Sequence, residues 1–140
     1  PEGEEVVISC LKSNSHPKQG VMIYKIAYKD KSLVYATDTE GYVGANKKLV
    51  LFARDTDLLI HDAQYTSEEY LNAYFSKQGY GHSTFDMALE TFSQAKAKSL
   101  AFFHFDPNYN DEFLLEIENH YTENCKNCFI PKEGQEIVLR

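Results

Sequence analysis

Ser99-Leu100-Ala101-Phe102-Phe103-His104-Phe105-Asp106-Pro107 decides the fold of this chain. Its apolar and aromatic run is entered from the polar Lys96-Ala97-Lys98 and stopped by Asp106-Pro107, the pattern of a strand buried on both faces. His104 sits at its carboxyl end. In α/β proteins ligands gather in the crevice outside the carboxyl ends of the strands, so a histidine there is placed for chemistry. Working outward, Leu33-Val34-Tyr35-Ala36-Thr37 runs into Asp38, and Leu58-Leu59-Ile60 runs into His61-Asp62. Each of these apolar runs ends in an ionisable side chain. Side chains alternate along a strand, so one of His61 and Asp62 must face away from the crevice.

The flanks alternate helix with strand. Ser83-Thr84-Phe85-Asp86 reads as a helix cap, after which Phe85, Ala88, Leu89, Phe92 and Ala95 fall on one face. Beyond the central strand a helix is predicted over 111–123, with Phe113, Leu114, Ile117 and Tyr121 inward. Thr66-Ser67-Glu68-Glu69 is a capping box, and Tyr70, Leu71, Tyr74 and Phe75 follow at helical spacing. Leu49, Val50, Phe52 and Ala53 fit a short helix. Residues 5–11 have the β-branched content of a strand, and residues 21–28 with 32–37 read as a hairpin. Between them the loop 12–20 holds His16 out of any helix, because the residue before Pro17 is driven to extended conformations. At the far end, 129–131 and 135–139 read as strands around a turn. The expectation is a single α/β unit over residues 1–140, in which strands alternate with helices.

Composition narrows the function. A net charge of -7 argues against a general nucleic-acid or acidic-membrane surface, while leaving room for a local nucleic-acid site. No apolar run approaches the roughly 18 residues of a membrane span, and a cytoplasmic protein is expected. Three cysteines are an odd count that suits a reducing compartment; Cys125 and Cys128 have the spacing of half a zinc knuckle but lack a second pair. The plainer reading is a helix ending near Cys125 and a strand beginning near Cys128. The Tyr and Phe residues are mostly core, with Tyr42, Tyr65, Tyr80 and Tyr109 in loops beside the strand ends. His120 lies among glutamates in the last helix and reads as a solvent-facing residue without a role.

Position alone leaves alternatives open. His104 fits either a site or a core histidine satisfied by backbone, and Asp38 between two threonines fits a turn cap as well as a site. His82, between Gly81 and a helix start, can face an anion.

Five runs in order resemble the C-terminal half of a metallo-β-lactamase-fold hydrolase, most closely its ribonuclease Z-like and cyclic-nucleotide phosphodiesterase-like branch. They are Asn14-Ser15-His16-Pro17, Val34-Tyr35-Ala36-Thr37-Asp38-Thr39-Glu40, Leu58-Leu59-Ile60-His61-Asp62-Ala63-Gln64-Tyr65, Gly81-His82-Ser83-Thr84 and Phe102-Phe103-His104-Phe105-Asp106-Pro107. The resemblance implies metal ligation by His16, Asp38 and His104, with Asp38 bridging two divalent ions, zinc foremost and manganese or iron as alternatives. It implies that His82 handles the scissile phosphate or a proton. Two such ions can activate water and clamp a phosphodiester.

The family's His-x-His-x-Asp-His motif does not occur in this sequence. The resemblance therefore implies half of an αββα sandwich, one mixed sheet with helices on its outer face, truncated at its N-terminus. A lone half exposes an apolar sheet face larger than soluble monomers tolerate, so the expected partners are the missing N-terminal half or a second copy. The expected substrate is a cyclic nucleotide or RNA, and this chain alone is expected to be inactive. Competing expectations are a non-catalytic dimerising module of the same fold and a hydrolase of thioesters or lactones.

Overall fold

The computed structural model describes residues 4–140. Six strands form one sheet in sequence order: β1 (Val6–Ser13), β2 (Val21–Tyr28), β3 (Lys31–Ala36), β4 (Leu58–Asp62), β5 (Leu100–Phe103) and β6 (Cys128–Phe129). The first three form an antiparallel meander and the last four run parallel. Parallel strands need crossovers, supplied here by α1 (Lys47–Phe52), α3 (Phe85–Ala95) and α4 (Asp111–Thr122). The sheet is mixed and α/β, as the sequence implies.

The period of two decides which residues meet the helices. Ile23, Val34, Leu59, His61, Leu100 and Phe102 are buried, and with Leu49, Phe85, Ala88 and Ala95 they make the core. Phe85 anchors it, with its ring 5.3 Å from Phe102 and 5.7 Å from Tyr121. The opposite face is open to solvent over β1 to β3 and closes toward β5, where Ala101 is buried. Register carries it across the sheet from Ile8 through Ile26 to Leu33, and from Tyr24 through Tyr35 and Ile60 to Ala101. Val6 and Ile8 are 59% and 64% exposed, and Tyr24, Tyr28, Tyr35 and Phe103 also reach solvent.

The structure corrects several local expectations. The helix capped at Thr66 is one turn, α2 (Ser67–Tyr70), although its capping box forms in full. Asn72 ends it: its Oδ1 accepts the backbone N–H of Tyr74 and Phe75, a side-chain turn that competes with the helix. Leu71, Tyr74 and Phe75 are consequently exposed. The α3 cap is Thr84, which accepts from Met87 N, one residue later than a Ser83-to-Asp86 box requires. Ser83 is instead buried in the site. The expected strand over 135–139 is absent, and the last strand is only Cys128–Phe129. Cys125 and Cys128 are paired as a disulfide, with Cα atoms 5.4 Å apart, while Cys10 is free and exposed. The bond ties the end of α4 to the start of β6, where the helix and strand limits fall as expected.

Candidate metal centre

Local backbone geometry brings the site together at the carboxyl ends of β3, β4 and β5. Asp38 and His104 lie two residues beyond β3 and one beyond β5, and both turn through positive φ, 53° and 62°. Asp and His tolerate this region better than most residues, and strained backbone of this kind concentrates at functional sites. The turns aim the two side chains at each other, so that His104 Nε2 and Asp38 Oδ1 lie 2.7 Å apart.

Asp62 ends β4 on the same side. It is fully buried, and both of its oxygens are engaged: Oδ1 accepts from Ser83 N at 2.9 Å and Gln64 N at 3.3 Å, Oδ2 from His82 Nδ1 at 2.8 Å and Thr39 N at 3.2 Å. His61, its neighbour, turns to the helix side and is equally buried, with Nδ1 donating to the Asp62 carbonyl at 2.7 Å. Alternation thus divides the pair as expected. Burial is the leading influence on His61 and pushes its pKa down, against the pull of Asp62.

His82 stacks on His104, with ring centroids 4.9 Å apart and planes 8° from parallel. Burial is the largest single influence on its pKa and works downward. The Asp62 hydrogen bond and charge, with Asp38 and Glu40 beyond, outweigh it and raise the pKa. His16 meets His82 edge-on at 5.4 Å between centroids. It stands beside the cluster rather than within it: the donor atoms that come within 4.8 Å of one another belong to Asp38, Asp62, His82 and His104.

The inventory of these donors fits a divalent transition metal. Imidazole nitrogen with carboxylate oxygen is the ligand set of zinc, manganese and iron, and His104 Nδ1 is buried with no partner among the described residues. Asp62, saturated by four N–H donors, is an orienting group more than a free ligand.

Two groups in the site did not stand out in the sequence. Glu40 accepts from Tyr70 Oη, Gly79 N and Gly81 N and so staples the 71–81 loop against the site. Gly81, at φ +95°, lies against His16, and a Cβ there would fall 2.5 Å from His16 Cδ2 and 2.4 Å from Pro17 Cδ. Asp62 was legible only as one of a pair, since the sequence does not say which of two adjacent polar residues takes the site face.

An α/β sheet with imidazoles and carboxylates converging at its strand ends is an arrangement of the metallo-β-lactamase type. A beta-lactamase superfamily domain matches residues 5–105, and the chain belongs to that family. It is 36% identical over 122 residues to a ribonuclease Z of Thermococcus sibiricus, covering 87% of this chain and 32% of the relative. With a ribonuclease Z of Bacillus subtilis it shares 34% identity over 99 residues, 71% of this chain and 30% of the relative. The chain therefore spans about a third of the length of these curated relatives. Among solved structures, the metallo-β-lactamase-fold protein YhfI from Bacillus subtilis superposes with a TM-score of 0.71 at 18% identity, over 96% of this chain and 52% of that one. Human tRNase Z, short form, superposes with a TM-score of 0.67 at 18% identity, over 98% and 43%. No helix among the described residues is long and apolar enough to cross a membrane.

Proposed function

We propose that this chain is the C-terminal half of a metal-dependent phosphodiesterase acting on RNA. The observation that carries the reading is the convergence of Asp38, Asp62, His82 and His104 donor atoms within 4.8 Å at three strand ends. The relatives that bear the name ribonuclease Z support RNA over a cyclic nucleotide as substrate.

Asp38 and His104 would hold divalent metal, joined by His16 from the loop after β1. Divalent ions there supply Lewis acidity toward a phosphodiester and lower the pKa of water. The chain's own groups orient and move protons. Asp62 fixes the Nδ1–H tautomer of His82, which leaves Nε2 to hold a proton at the scissile phosphate or the leaving oxygen. Ligands for two ions exceed what these residues supply, so a half-domain carrying the remaining donors completes the site and covers the open sheet face.

Elemental analysis after dialysis against a mild chelator tests the reading. The expected result is about one zinc per chain, lost in Asp38→Ala and in His104→Ala. Retention of equal metal by both variants overturns the assignment. Co-expression with the complementary half-domain should restore RNA hydrolysis, and inactivity of a complex with full metal occupancy would overturn the phosphodiesterase reading.

A further inference from the structure

Charge is distributed unevenly around the site. Although the chain carries seven net negative charges, two adjoining depressions beside the end of β1 are lined by lysines and by no carboxylate. One includes Lys12, Lys47 and Lys48, the other Lys12 and Lys18, and Asn14 lines both. By contrast, the groove along α2 and α3 includes Glu40, Asp86 and Glu90, and the groove along α4 includes Asp111, Glu118 and Glu133. None of the four lysines has a carboxylate within 4.0 Å among the described residues, whereas Lys31 and Lys98 both do. Lys47 is steadied by a neutral partner, donating to Gln94 Oε1 at 3.0 Å. These lysines stay available to an anion.

Tyr42 joins this basic surface to the site. It is half-exposed and lines three depressions: the lysine-lined one, one that includes His16, and the groove along α2 and α3. The support beneath is rigid and polar. Asn46 caps α1 and donates to Ser13 Oγ at 3.5 Å, and from there Ser13, Ser15 and Thr39 are linked hydroxyl to hydroxyl at 2.6 Å each. Thr39 follows Asp38 directly. The lysine surface is thus held in fixed relation to the candidate metal ligands, as a substrate-positioning surface requires.

Single-stranded nucleic acid is recognised by basic grooves that follow the backbone and by aromatic rings that stack bases. We propose that Lys12, Lys18, Lys47 and Lys48 hold the phosphates of single-stranded RNA and that Tyr42 stacks a base where the strand turns toward His16. This proposal rests on the RNA reading above for the kind of nucleic acid, and on the lysines and Tyr42 for the path.

Fluorescence anisotropy with a labelled 12-nucleotide oligo-uridine RNA, measured across a salt series, tests it. Lys47→Ala/Lys48→Ala should weaken binding about ten-fold or more near 0.1 M salt and reduce the log-log salt slope by about 1.4, since each single-strand phosphate contact contributes about 0.7. Tyr42→Ala should weaken binding at least five-fold with the slope unchanged, and Tyr42→Phe should bind as the parent does. Lys126→Ala/Lys132→Ala, on other parts of the surface, should have no effect. Equal losses from both lysine pairs, or parental binding by Tyr42→Ala, overturn the track. Zinc uptake by the same samples separates this outcome from the fate of the metal site: the track variants should load as the parent does. Asp38→Ala should lose metal and still bind the oligonucleotide.

Discussion

Asp62 accepts the Nδ1 proton of His82 at 2.8 Å, and this buried carboxylate has no lone pair left idle. Asp62→Asn must turn an amide N–H toward at least one donor, whichever way the side chain is flipped. Metal affinity is expected to fall about 10- to 100-fold through loss of His82 orientation. Stability should fall by about 1–3 kcal/mol through unsatisfied buried N–H groups. Zinc titration and urea unfolding read the two effects separately, and parental zinc affinity in a folded Asp62→Asn protein would remove the orienting role.

Gly81 is where backbone and site collide. Gly81→Ala combines a left-handed φ, costing roughly 1–2 kcal/mol for a residue with a Cβ, with direct overlap on the His16 ring. Gly79→Ala has the same backbone problem, at φ +82°, in open space. Both variants should lose similar backbone stability. Only Gly81→Ala should move the His16 imidazole resonances in nitrogen-detected NMR, and matching His16 spectra would show that the loop yields in place of the ring.

Away from the site, Asp57 ties the start of β4 to the β2–β3 hairpin. Lys98 donates to Oδ1 at 2.7 Å and Ser32 N to Oδ2 at 2.8 Å. The Lys98 hydrogen bond is the leading cause of a lowered Asp57 pKa. Burial opposes it, and Ser32 assists. The unfolded chain takes up a proton at Asp57 before the folded chain does, so this contribution is whole above about pH 4 and disappears as pH falls through the folded pKa. Lys98 is 63% exposed, so its share should shrink in salt while the Ser32 share persists. Asp57→Asn should flatten the acid limb of a pH–stability curve, and an unchanged limb would assign that slope to other carboxylates.

Most of this architecture follows from local pattern. The buried run ending at His104, the alternation at His61 and Asp62, and the spacing of Phe85, Ala88 and Ala95 depend on neighbours in sequence, so they are readable there. The placement of Asp38 and His104 at or just past strand ends was legible for the same reason. The groups that frame the site depend on contacts distant in sequence: Glu40 accepts from the amides of Gly79 and Gly81, and Ser83 donates to the Thr39 carbonyl and to Asp62. No short-range period encodes such contacts. The truncated α2 shows the converse, where Tyr70, Leu71, Tyr74 and Phe75 have helical spacing but Asn72 gives the backbone a better local partner.

The uncovered sheet face supplies the last expectation. Val6 and Ile8 lie on it opposite Tyr28 and Ile26, and Tyr35 reaches Phe103 across it with ring centroids 6.1 Å apart. Exposed β1 also offers an unpaired edge, the feature that lets one sheet recruit another. In the absence of a covering half-domain the chain should self-associate through this face. Val6→Lys/Ile8→Lys places two charges there without touching the helix-side core, so sedimentation should shift to monomer while the urea midpoint changes little. An oligomer that survives both lysines would locate the contact elsewhere, on the exposed Tyr74 and Phe75 of the 71–81 loop. A monomeric parent would show that the polar rims of Tyr24, Tyr28 and Tyr35 keep the face soluble by themselves.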